Sequence, residues 1–138
     1  MKTILITQCL QNDFVKPIGK YDPLPNLLHV GYEESIRLMG VKPSEGPITN
    51  TMKWAYSQSE DDMEIIHIRS WYTKKDPIQI KHLEKFGDHC IAFSEGAKFA
   101  FSLDNYPRIT TVIDSNSLND FLNPEFTEII EEYKNEKL

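Results

Sequence analysis

Cysteine is scarce in this sequence: Cys9 and Cys90 are the only two among 138 residues. Two thiols make no disulfide framework, and they read as free groups in a reducing cytosol. Basic residues are outnumbered, 15 Lys and Arg against 21 Asp and Glu, for a net charge of −6. That shortage argues against a nucleic-acid surface, because phosphate contacts need clustered cations. No run approaches the roughly 18 apolar residues that cross a bilayer, so no membrane contact is expected. The opening MKTILITQCL is too short and soon too polar for a secretory leader, which again points to the cytoplasm. Glycine-rich phosphate loops, internal repeats and low-complexity runs are missing as well.

What is present is ordinary globular material, 40% hydrophobic and 26% charged, enough for a buried core in one domain over residues 1–138. TILITQC, residues 3–9, is β-branched and nearly continuous in apolarity, the pattern of a central strand covered on both faces. The polar Gln11-Asn12-Asp13 that follows lies just past its carboxyl end, where open α/β sheets bind ligands. Prolines and a glycine then predict a long irregular loop to about Tyr32, of the kind that contacts ligands or partners. YEESIRLMG reads as a short helix stopped by Gly40. ITNTMKWAYSQ reads as a second helix, with Ile48, Met52 and Ala55 on one face. MEIIHIRSW, residues 63–71, is a second strand. A helix follows, with Asp76 as cap, Pro77 in the first turn and Gly87 as stop. Residues 88–101 are loop-rich. Ile109 to Asp114 is a third strand, and Asn123 caps a last helix with an apolar stripe of Phe126, Ile129, Ile130 and Tyr133. The alternation predicts an α/β Rossmann-like fold, three layers around a parallel sheet with right-handed crossovers. Three strands make a thin sheet of this kind, so either a partner chain or a C-terminal half is expected to complete it.

Three segments carry a resemblance. ITQCLQNDFV is similar to the first-strand motif of the isochorismatase-like cysteine hydrolases, a hydrophobic strand followed by Asp-x-Gln-Asn-Asp-Phe. GDHCIAFSEGAKF, residues 87–99, resembles the family's Gly/Pro-x-His-Cys-x-x-Gly-Thr-Pro-Gly-Ala segment. VIDSNSLNDF, residues 112–121, sits where the family has a strand, a lysine and Ser-Ala-Phe. The resemblance implies the N-terminal portion of a Rossmann-like domain of about six parallel strands that hydrolyses an amide or a vinyl ether of a small molecule. Its Asp serves as base, its Lys assists, and a Cys at a later helix start attacks as thiolate.

This chain departs from that pattern. Cys9 stands at the Asp position and Ser115 at or next to the Lys, and the nucleophile would lie beyond a fourth strand, past Leu138. Whether the chain is an enzyme is therefore open. One expectation is a hydrolase domain that acts only when completed by further strands. The other is a non-catalytic binding or assembly module on the same scaffold.

Cys9 and Asp13 are the catalytic candidates. Against them stand a buried thiol filling the space of a carboxylate and an Asp that fastens its own loop. Arg69 suits a carboxylate or phosphate, with a structural ion pair as the plainer reading. Trp71, Phe14, Tyr21 and Phe93 could wall a planar ligand, or simply pack. His89 is a ligand-binding candidate left over from the metal set of the nicotinamidase branch, where Ser70 and Tyr72 now occupy the other positions. One imidazole makes no metal site, so neither metal nor cofactor is expected. His67, mid-strand, reads as a core histidine. A small-molecule ligand, and a homo-oligomer or a complementing C-terminal fragment, are the expected partners.

Overall fold

The computed structural model describes residues 2–102, 108 and 110–135. Three parallel strands form one open sheet in the order β1-β2-β3: β1 is Thr3–Gln8, β2 Met63–Ser70 and β3 Thr111–Ser115. Leu5 pairs with Ile65, Thr7 with His67 and Ile68 with Ile113. Among the described residues, five α-helices accompany them: α1 Asn12–Val15, α2 Tyr32–Met39, α3 Pro47–Ser57, α4 Pro77–Phe86 and α5 Pro124–Asn135.

The helix ends follow local chemistry. Asp76 accepts the Ile78 amide at 2.9 Å ahead of Pro77, and Asn123 accepts the Glu125 amide at 3.0 Å ahead of Pro124. Gly40 ends α2 at φ 79°, a conformation that glycine adopts freely. The single-turn α1 was not expected from the sequence. It forms because Gln11 turns the chain, its carbonyl accepting the amides of Phe14 and Val15.

The apolar core divides between the two faces of the sheet. On one, α3 packs Met52 and Ala55 towards β1 and β2, and Phe14, Met39, Leu83 and Phe101 join that layer. On the other, α5 lays Phe126, Ile129, Ile130 and Tyr133 over Ile66, Ile68 and Ile113. The stripe read from the sequence is thus the face that α5 buries.

One expectation is corrected. TILITQC reads as a central strand covered on both faces, but among the described residues β1 lies at the edge of the sheet and only β2 has neighbours on both sides. Ile6, at its middle, remains 41% exposed. An apolar run reports that a segment can be buried, not how many strands flank it. Element bounds moved slightly as well: β1 ends at Gln8 and β2 at Ser70, leaving Cys9 and Trp71 just beyond. β3 opens at Thr111, and the expected start at Ile109 lies outside the described residues.

His67 is wholly buried in β2. Its Nδ1 lies 2.6 Å from Thr7 Oγ1 and its Nε2 2.8 Å from Tyr56 Oη, with Phe99 and Phe101 against the ring. Burial pushes its pKa down to about 4, so it is a neutral core residue at physiological pH.

Candidate functional site

One buried side chain ties three segments together at the carboxyl edge of the sheet. Gln11 is fully buried. Its amide nitrogen donates to Ser70 O at 2.8 Å and Ala97 O at 2.9 Å, and its carbonyl accepts the Ser70 amide at 2.8 Å. A single glutamine therefore locks the exit of β1 to the exit of β2 and to the 87–99 segment. Asn12 and Asp13 extend the lock: their amides donate to Lys98 O and Gly96 O, and the Asn12 side chain donates to Glu95 O.

Asp13 is half-buried and lines a cleft of about 380 Å³ with Lys16, Asp22 and His29, while its carboxylate is tied to the protein's own backbone. Its carboxylate accepts the Cys90 amide at 2.7 Å and lies against Gly96, where a Cβ would fall 2.0 Å from Asp13 Oδ2. That contact requires glycine at 96.

Cys9 sits at the very tip of β1. Its amide donates to Ile68 O at 2.9 Å, its backbone is left-handed at φ 57°, and its Sγ lies 3.4 Å from Ser70 Oγ. Burial raises its pKa first, and the negative charge of Asp120 raises it further against the Ser70 hydrogen bond. Tyr72 shares the Ser70 hydroxyl; burial raises its pKa, and Cys9, Cys90 and Asp120 add to the effect. The Cys90 thiol is buried and held well above its usual range, first by burial and then by Asp13 and Cys9. A nucleophilic thiol needs the opposite environment, with a cation or a helix N-terminus stabilising the thiolate.

Asp120 was not anticipated. It begins a 3₁₀ turn, Asp120–Leu122, and accepts a hydrogen bond from Gln8 Nε2. Its Oδ1 is buried without a hydrogen-bond partner among the described residues. Nothing in VIDSNSLNDF signals that the residue five past Ser115 will meet β1, since the contact spans 112 positions of sequence. The groove it lines, about 350 Å³, lies between β1 and α5 with Ile6, Ile68, Phe121 and Phe126.

The remaining candidates fall into two groups. Arg69 lays its guanidinium 3.8 Å over the Trp71 ring while Nε donates to Asp114 Oδ1. Trp71 in turn meets Phe93 edge-on at 5.2 Å, and Phe93 is 90% exposed with φ 66°. These three form an accessible cation–aromatic ledge. Phe14 and His89 form the other group, buried and packed on each other at 5.6 Å. His89 Nδ1 meets Gly87 O at 2.6 Å and its Nε2 lies 3.2 Å from His82 Nε2, so both ring nitrogens are engaged within the protein. That donor set does not fit a metal, and the described residues contain no group of three or more His, Cys, Asp or Glu placed to hold one. Tyr21, by contrast, is 90% exposed on the 16–31 loop.

No protein-family model and no curated protein matches the sequence. Solved structures do match the fold. An isochorismatase-like hydrolase from Alkaliphilus metalliredigens superposes with a TM-score of 0.64 at 16% identity, over 97% of this chain and 63% of that one. Nicotinamidase/pyrazinamidase from Bacillus subtilis gives 0.66 at 14% identity, over 96% of this chain and 66% of that one. The chain thus spans somewhat under two thirds of the length of the structures it matches. Over that span its three parallel strands and flanking helices have the isochorismatase-like fold.

Proposed function

We propose that this chain binds a small planar molecule at the carboxyl edge of its sheet and, as described, does not cleave it. The observation that carries the reading is the environment of Cys9. Its thiol, at the tip of β1, is surrounded by hydroxyls and a carboxylate, and its pKa is raised. Hydrolysis of a C–N amide or an enol ether through a thiolate would need the reverse. The Arg69–Trp71–Phe93 ledge supplies what binding needs: an aromatic face and a guanidinium whose Nε donates to Asp114. Cys9 and Asp13 then act as positioning residues, the first filling the tip and the second fixing the 87–99 segment.

Nicotinamide is a suitable first probe, because one matched structure is a nicotinamidase. The expected result is a shift of the Trp71 indole resonance on titration, lost in Arg69→Ala and Phe93→Ala, with no ammonia released. Ammonia release that disappears in Cys9→Ala would defeat the reading in favour of a catalytic one.

A second reading is a hydrolase domain that becomes active only when further strands complete it. The open β1 edge and the partial coverage of the matched structures support it. The free thiols Cys9 and Cys90 support a cytoplasmic setting, and no helix among the described residues is long and apolar enough to cross a membrane.

A further inference from the structure

Phe93 is the odd residue of the 87–99 segment. Its backbone is left-handed at φ 66°, and its ring is 90% exposed. That conformation is costly for a residue with a Cβ and nearly free for glycine. Its edge-on contact with Trp71 leaves most of the ring in solvent, so little burial offsets the strain. A strained backbone that holds an aromatic ring outwards at the rim of a sheet points to something the ring receives.

Arg69 meets the same indole. Its guanidinium lies 3.8 Å over the Trp71 ring, with the Phe99 ring 6.0 Å away. At 3.8 Å the guanidinium is stacked, so its plane follows the indole and its N–H groups point sideways, off the aromatic face. Nε donates to Asp114 Oδ1. Neither Nη nitrogen has an acceptor among the described residues, and the side chain is 25% exposed. The edge formed by Nη1 and Nη2 thus presents two parallel N–H donors and no acceptor.

We infer that the ligand of this ledge is an aromatic carboxylate, with its two oxygens on the Nη1–Nη2 edge of Arg69 and its ring against Phe93. The inference rests on the planar-ligand reading above and gives that ligand its charge. A carboxylate offers two coplanar acceptors that match the guanidinium fork. A carboxamide offers one, and its NH2 group would face an N–H donor with no acceptor between them. A carboxylate also continues the guanidinium plane, which brings the attached ring edge-on to Phe93, itself turned 76° from the indole. Asp114 stays on Nε and steadies the fork, while its charge limits how tightly an anion binds.

Benzoate and benzamide share a ring and a shape and differ in charge. Followed by the Trp71 indole resonance, benzoate should bind about tenfold more tightly, the margin between charge-assisted and neutral hydrogen bonds. Arg69→Gln, with the circular dichroism of the parent, should abolish that preference. Arg69→Lys keeps the charge without the fork and should recover little of it. Phe93→Ala, at a position already in solvent, should weaken benzoate about fivefold. Equal affinity for the two probes overturns the inference and leaves ligand binding at the ledge standing. A preference that survives Arg69→Gln, or a benzoate affinity unchanged in Phe93→Ala, overturns it as well. Silence of Trp71 towards both probes removes the ligand reading and the inference together.

Discussion

Strands β1 and β2 are written in nearly the same alphabet, TILITQ and MEIIHIRS, yet they live in different surroundings. In β2, Ile65, Ile66 and Ile68 are essentially inaccessible, enclosed by a strand on each side and helices on both faces. In β1 only Thr7 is buried, and its isoleucines are covered in part or not at all. The difference teaches that composition alone does not set enclosure: among the described residues β2 has a strand on each side and β1 has one.

The sharpest way to test that contrast is to remove equal side chains from both strands. Ile66→Ala should cost about 4 kcal/mol by urea denaturation, as expected for a large-to-small change in a closed core. Ile6→Ala should cost under about 1 kcal/mol, because little burial is lost there. Equal costs would mean that β1 is as enclosed as β2.

The tie between the two strands comes next. Gln11→Leu leaves Ser70 N, Ser70 O and Ala97 O without their buried partner, and should cost about 3 kcal/mol. A loss under about 1 kcal/mol would show that the two exits hold together without it.

His67 sharpens the contrast through pH. Its folded pKa of about 4 lies below the ordinary value of 6.5, so the unfolded chain binds the extra proton. Stability is therefore full above pH 6.5 and falls as pH drops towards 4, by about 3 kcal/mol at 1.36 kcal/mol per unit. His67→Gln should flatten that slope, as read from urea midpoints across the range.

The smallest effect concerns the 87–99 segment. Gly96→Ala drives a methyl into the Asp13 carboxylate and should cost about 2 kcal/mol, with Cys90 amide exchange accelerated. In an Asp13→Ala background the same change should cost markedly less, because the clash is with that side chain.

Much of this was legible in the sequence because it is local. The caps at Asp76 and Asn123, the stop at Gly40 and the stripe on α5 are decided within one helical turn, and each is found where its residues place it. The parallel order followed from alternation of strand and helix. The edge position of β1 was not legible, because neighbours in a sheet are chosen by the whole chain. The site divides in the same way. Cys9 at the strand tip and Arg69 beside Trp71 follow from where strands end. Asp120 does not, since its meeting with Gln8 is a tertiary accident of how the 3₁₀ turn settles against β1.

Among the described residues, three other than glycine hold left-handed backbones: Cys9, Cys90 and Phe93. All three lie on the segments that build the sheet's carboxyl edge, and each conformation costs about 1 kcal/mol that glycine would largely spare. Thermal robustness is thus surrendered at the rim in return for sulfur and aromatic groups set at angles an ordinary backbone would not give them. Stabilising this protein by glycine replacement would be easiest at the positions where its chemistry resides.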